Sequence, residues 1–238
     1  GKVAAASTTT TLIQHFNIKQ IIFTGVAGAI SPSLNMGDIV IAQSTYQHDM
    51  NASPLFNQHE IPLTGISHFQ CDPHLMAQAK VAADLFIASD DIRDRLATYA
   101  NQSPQCVYGM IASGDQFIST PEQVLPILSS QPNTIAVEME GAAVAQVCHE
   151  HDLPFVIIRT ISDRADHSAP VDFSAFVKQV ASTYAKALIK DMLLQGLKLH
   201  LDDPITKKNK TSELFINSIL LPISQTHRRL KTICKRLK

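Results

Sequence analysis

The run Pro154-Phe155-Val156-Ile157-Ile158-Arg159-Thr160-Ile161 sets the tightest limit on the fold. Its β-branched, nearly continuous apolar character predicts a strand buried on both faces, and such strands belong to sheets covered by helices on each side. The rest of the chain supplies the alternation this needs. Gln20 to Thr24, Asp38 to Ala42, Gln105 to Ile111 and Ile135 to Val137 predict further short strands, the first ended by a turn at Gly25-Val26-Ala27-Gly28. Helices are expected over Lys2 to His15, Asp72 to Ile87 (capped by Asp72 with Pro73 at the first position), from Thr120-Pro121-Glu122 onward, over Glu140 to His151, and as one long amphipathic helix from Phe173 to Leu197. Strands and helices that alternate without an internal repeat imply an α/β fold with a largely buried sheet.

Polar groups collect where the predicted strands end: Thr24, Ser113, Asp115, Glu138, Glu140, Ser162 and Asp163. Ligands of such sheets bind at strand ends, which makes these the candidate site. Asp163 lies just beyond the buried run, where partial desolvation favours the protonated carboxyl and suits a general acid; a helix cap or turn aspartate is the structural alternative. Glu138 and Glu140, two apart in extended chain, point to the same side and could accept hydrogen bonds from a sugar diol, unless one of them serves a helix N-terminus. Phe117 follows the Gly114 turn and could stack on a flat heterocycle or simply fill core.

Other chemistries find little support. Gly25-x-x-Gly28 matches neither dinucleotide nor P-loop spacing. Asp166-His167 offers too few ligands for a metal, and Cys148-His149-Glu150-His151 fans around a helix, so no metal and no cofactor is expected. No apolar run reaches the roughly 18 residues of a membrane span. The four cysteines lack ligand or disulfide spacing, and no signal-peptide pattern is read, so a soluble cytoplasmic protein is expected. The formal net charge of −1 hides an asymmetry, because residues 1–200 carry 11 basic and 18 acidic side chains whereas residues 201–238 carry 9 and 3. The expectation is a domain over 1–200 with a basic extension over 201–238. The acidic body argues against nucleic acid as the main partner. The extension could contact RNA, a membrane surface or an acidic partner, or be a solvated appendage.

Five motifs in order carry a resemblance: Thr24-Gly25-Val26-Ala27-Gly28, Gly37-Asp38-Ile39-Val40, Ser113-Gly114-Asp115-Gln116-Phe117-Ile118, Ala136-Val137-Glu138-Met139-Glu140 and Arg159-Thr160-Ile161-Ser162-Asp163. The set resembles the 5'-methylthioadenosine/S-adenosylhomocysteine nucleosidases of the nucleoside phosphorylase superfamily, from Gly1 to about Leu197. The resemblance implies a three-layer α/β/α sandwich with a mixed central sheet, and hydrolysis of an N-glycosidic bond to adenine and a 5-thio-ribose. It implies Asp163 as the acid that protonates purine N7, Glu140 with Met139 at the ribose diol, and Glu138 as support for that strand end. Phe117 would stack on adenine, the Ile118 backbone would read its edge, Ser162 would orient Asp163 or the base, and Phe173 would lie over the 5'-alkylthio group. It also implies a homodimer, with the segment His48 to Phe56 near the contact and its apolar members helping to form the 5'-pocket across subunits.

Two departures from the family pattern bear on activity. Val26 replaces the serine common in the first glycine turn, which weighs against a phosphate-assisted variant. The family pattern also begins with a strand and loop whose glutamate activates the attacking water, whereas the match here starts at Gly1, so the chain reads as processed or as a fragment. Weak nucleoside binding and poor turnover are therefore expected. The rival readings are a purine or uridine nucleoside phosphorylase, disfavoured by a body with only Arg93, Arg95, Arg159 and Arg164 for an anion site, and a non-catalytic nucleoside-binding module.

Overall fold

In the computed structural model the described residues are 1–89, 103–177 and 181–202. They form α1 (Lys2–Phe16), β1 (Ile21–Ala29), β2 (Ile39–Gln47), β3 (Phe69–Gln70), α2 (Pro73–Ile87), β4 (Cys106–Ser113), α3 (Pro121–Ser130), β5 (Thr134–Glu138), α4 (Gly141–Glu150), β6 (Phe155–Asp163), α5 (Ala169–Phe176) and α6 (Ser182–Asp202). The sheet order is β3-β2-β4-β5-β1-β6, with parallel and antiparallel pairs, so the expected mixed sheet is present. The first residues of β2 also pair antiparallel with β6, Ile39 opposite Thr160 and Ile41 opposite Ile158. That contact bends the sheet round until five strands close on themselves, and β3 hangs on the far end of β2.

The two-residue period of extended chain divides the core. Phe23, Val40, Ala42, Phe155 and Ile157 face one cluster with Leu12 of α1 and Val144, Ala145 and Cys148 of α4. Ile22, Ile39, Ile41, Val156 and Ile158 face the other, with Leu75, Ala79 and Phe86 of α2 and Tyr184, Leu188 and Met192 of α6. All nine residues of β6 are buried, as a strand covered on both faces requires. Within the second cluster Phe86 and Tyr184 meet edge to face at 4.6 Å, and each such buried aromatic contributes on the order of 1.5–3 kcal/mol by leaving water.

Local signals set the helix starts. The Asp72 carboxylate accepts from Leu75 N at 2.9 Å ahead of Pro73, and Thr120 caps α3 in the same way ahead of Pro121. One expectation needs correction. The glycine run after Thr24 is strand, because β1 continues to Ala29 and pairs with β6 from Ile21 to Gly28; the glycines are there for close approach, as shown below. The long helix expected from Phe173 falls on α5 and α6; Val177 and Ala181 between them are helical as well, and residues 178–180 lie outside the described ones. Phe176 and Tyr184 pack into the same cluster. The proposed boundary near Leu201 falls at the end of the described residues, and the basic extension, but for its first two residues, lies outside them. No described helix is long and apolar enough to cross a membrane.

Candidate active site

The C-terminal end of β6 builds the centre of the site. Along β1 and β6 the register steps from Ala27 opposite Ile161 to Gly28 opposite Asp163, which leaves Ser162 as the extra residue of a bulge. Bulges re-aim the side chains that follow them, and here the Asp163 side chain lines a cavity of about 650 Å3. Its Oδ1 accepts from Ala165 N at 2.9 Å and its Oδ2 from Ser162 Oγ at 2.8 Å. Burial pushes the Asp163 carboxyl above the ordinary carboxylate range; the Ala165 amide and Ser162 hydroxyl oppose this, and Asp172 and Asp166 add to it. Gly28 is what admits this carboxylate, since a Cβ there would sit 2.8 Å from Asp163 Oδ1. Gly25 plays the same part for Arg159, whose Nη1 would be 3.1 Å from a Cβ.

Arg159 explains the single charge in the apolar strand. It is 1% exposed, lies 4.4 Å over the Phe23 ring, and donates to Glu138 Oε2 through Nη2 at 2.6 Å and Nε at 3.2 Å. Glu138 is almost fully engaged, because it also accepts from Gly141 N at 2.8 Å, Glu140 N at 3.1 Å and Ser113 Oγ. A sharing of diol contacts between Glu138 and Glu140 therefore does not fit this geometry, and Glu138 instead ties the end of β5 to β4, β6 and the start of α4. Glu140 is left at the N-cap of α4, its side chain 16% exposed and its Oε1 2.6 Å from the amino nitrogen of Gly1.

Phe117, also on the cavity wall, stands 39% exposed at the end of the turn after β4 and meets Phe173 of α5 edge to face at 5.6 Å. Ile118 beside it is buried. The eight residues that the family resemblance singles out, Phe117, Ile118, Glu138, Met139, Glu140, Ser162, Asp163 and Phe173, line this one cavity, as do Val26 and the strand-end candidate Thr24; the other two strand-end candidates, Ser113 and Asp115, do not. The His48 to Phe56 segment does not.

Sequence reasoning missed several contributors. The role of Arg159 has no local signal, because its partner Glu138 is 21 residues away. Ser182, Ala185 and Lys186 of α6 also line the cavity, and their i, i+3, i+4 spacing on the less apolar side of that helix was the available clue. Among the described residues no three His, Cys, Asp or Glu side chains are grouped to hold a metal ion.

Comparison with known proteins gives a consistent result. The family model of the phosphorylase superfamily matches residues 1–194. The 5'-methylthioadenosine/S-adenosylhomocysteine nucleosidase of Bacillus thuringiensis (strain Al Hakam) is 38% identical over 199 residues, which cover 83% of this chain and 78% of that protein. The crystal structure of the Neisseria meningitidis nucleosidase of the same name, in complex with methylthio-immucillin-A, aligns with a TM-score of 0.70 at 34% identity over 81% of this chain and 77% of that one. Futalosine hydrolase of Helicobacter pylori strain 26695 aligns with a TM-score of 0.69 at 34% identity, covering 82% and 76%. The chain belongs to the phosphorylase superfamily and, within it, to the 5'-methylthioadenosine/S-adenosylhomocysteine nucleosidase family.

Proposed function

We propose that the protein hydrolyses the N-glycosidic bond of 5'-methylthioadenosine and S-adenosylhomocysteine, releasing adenine and a 5-thio-ribose. The observation that carries this reading is Asp163, a 2% exposed carboxyl with a raised pKa on the wall of a cavity that Phe117 also lines. Breaking the bond leaves electrons on the purine and positive oxocarbenium character on the ribose. A protonated Asp163 donates to purine N7 and so neutralises the leaving group as the bond lengthens. Ser162 holds the carboxyl through Oδ2, and the Ala165 amide holds Oδ1, which leaves Oδ2 as the oxygen with a hydroxyl partner that can rotate when the proton moves. Phe117 stacks on adenine beside the Ile118 backbone, and Phe173 covers the 5' substituent. Glu140, backed by Met139, accepts from the ribose diol, and its negative charge favours the cationic sugar. Glu138 fixes the strand end through Arg159.

That commitment of Arg159 to Glu138 removes the best-placed arginine from any phosphate site, which favours water over phosphate as the acceptor. Two further readings belong with this one. Leu55, 84% exposed, and Leu63, 91% exposed, lie on the long connection after β2 and support a homodimer through that face. The described cysteines Cys71, Cys106 and Cys148 are free thiols, which suits a reducing cytoplasmic setting.

The test is incubation of the protein with 5'-methylthioadenosine in phosphate-free buffer, with adenine and sugar products resolved by chromatography. Free 5-methylthioribose is expected, and the same assay gives the turnover number. A requirement for phosphate, with the sugar 1-phosphate as product, overturns the hydrolase reading, and nucleoside binding with no product at all favours the binding-module alternative. Parallel assays with S-adenosylhomocysteine and futalosine rank the 5' substituents.

A further inference from the structure

An ion cluster outside the cavity joins three separate parts of the chain behind Phe117. The Lys2 ammonium, at the start of α1, donates to Asp49 Oδ1 at 2.6 Å and to Gln47 Oε1 at 3.0 Å, and lies 3.9 Å from Asp115 Oδ2. The backbone closes the same triangle. Lys2 N donates to Asp115 Oδ1 at 2.9 Å, and Asp115 N donates to Asp49 Oδ2 at 2.9 Å. The Lys2 and Asp49 side chains are 16% and 22% exposed, so this pair is shielded from water more than an ordinary surface pair. Burial works to raise the Asp49 carboxyl, but the Lys2 ammonium and the Asp115 amide together hold it below its ordinary range. Next to the triangle, His48 N donates to Ser113 O at 2.9 Å, and the His48 ring lies so close over Gly114 that a Cβ there would sit 2.2 Å from Nε2. The turn from Ser113 to Phe117 is therefore held from outside by Lys2, Asp49 and His48, while nothing in the triangle lines the cavity.

We propose that Lys2 is a positioning residue that acts through Asp49 and Asp115 to hold the Ser113–Phe117 turn, and so sets where the Phe117 ring meets the purine. The inference rests on the reading of Phe117 as the base-stacking ring. Lys2 lies between two carboxylates that its charge reconciles; without it, Asp49 and Asp115 repel across the Asp115 N to Asp49 Oδ2 bond, and the turn two residues before Phe117 is released. Lys2, Asp49 and Asp115 make no hydrogen bond to Asp163, and Gly1 next to Lys2 lies 2.6 Å from Glu140 Oε1 on the sugar side, so free adenine is the probe that reads the effect on the base alone.

The experiment is a double-mutant cycle on adenine affinity, read by calorimetry with free adenine, using Lys2→Met, Phe117→Ala and the pair. Lys2→Met is expected to weaken adenine binding by about five- to ten-fold, to do so by less than about two-fold in the Phe117→Ala background, and to be rescued by Lys2→Arg. Asp49→Asn, which keeps Lys2 and removes its main acceptor, should give the same pattern and serves if Lys2→Met folds poorly. An unchanged affinity in Lys2→Met, or the same loss with and without Phe117, overturns the positioning role and leaves the stacking role standing. An unchanged affinity in Phe117→Ala alone overturns the stacking reading, and this inference with it.

Discussion

Replacing Glu138 by glutamine tests the organisation of the whole site, because the change is nearly isosteric and removes only charge. The Glu138 and Arg159 side chains are 2% and 1% exposed, and the guanidinium donates two hydrogen bonds to one carboxylate oxygen. In Glu138→Gln the guanidinium stays buried with no countercharge, and the amide must also turn an N–H group toward either Arg159 or the Gly141 amide, both of which are donors. Breaking one side of a buried pair costs about 3–5 kcal/mol. For a domain of this size each kcal/mol moves the melting temperature by about 2–4 °C, so the expected fall is about 6–20 °C. The chain has no Trp, so urea and thermal unfolding are best followed by far-ultraviolet circular dichroism. The double variant Glu138→Gln/Arg159→Met removes the orphaned charge as well and should be more stable than Glu138→Gln alone. A single-variant loss below about 1 kcal/mol, or a double variant that is simply the sum of the two singles, would falsify the claim that this pair anchors the ends of β5 and β6.

Three further outcomes follow from the geometry. Gly28→Ala puts a Cβ 2.8 Å from Asp163 Oδ1 and 3.2 Å from Ala165 Cβ, so adenine release should fall while stability drops by only about 1–3 kcal/mol, as paired kinetics and urea titration would show. Because the folded Asp163 carboxyl holds its proton more tightly than the unfolded one at 3.8, stability falls as pH rises from that value through the raised one and stays lowered above it. Asp163→Asn should therefore be more stable than the parent at pH 7, with the difference gone below about pH 3.8 in pH-resolved unfolding. Glu140→Gln should raise KM for 5'-methylthioadenosine about ten-fold or more and narrow its preference over a 2',3'-dideoxy analogue, since a charged acceptor becomes neutral; equal losses on both substrates would place Glu140 away from the diol.

What the sequence shows about this protein depends on how local each signal is. The strand from Phe155 is legible because continuous apolar character over β6 admits few alternatives, and Asp163 is legible because it ends that strand. Phe117 and Glu140 become candidates only as members of ordered motifs, since each alone has an ordinary core or capping explanation. The glycines at 25 and 28 read as a turn because the guanidinium and carboxylate they accommodate come from residues 159 and 163, which only strand pairing brings near. Glu138 looks like a second sugar contact until its oxygens are seen to be held by Arg159, Ser113 and the amides of Glu140 and Gly141. Lys2 carries no local signal, because its partners lie 47 and 113 residues along the chain.

The central claim is that Asp163 supplies the proton that lets the purine leave, and the most direct measurement compares leaving groups in Asp163→Asn. On 5'-methylthioadenosine, whose adenine needs that proton, kcat/KM should fall by about 10²–10⁴. On a p-nitrophenyl riboside, whose phenolate leaves without protonation, the same variant should retain kcat/KM within a few-fold of the parent. A loss of equal size on both substrates would contradict the account and make Asp163 a group that binds or shapes the site instead of one that protonates the base.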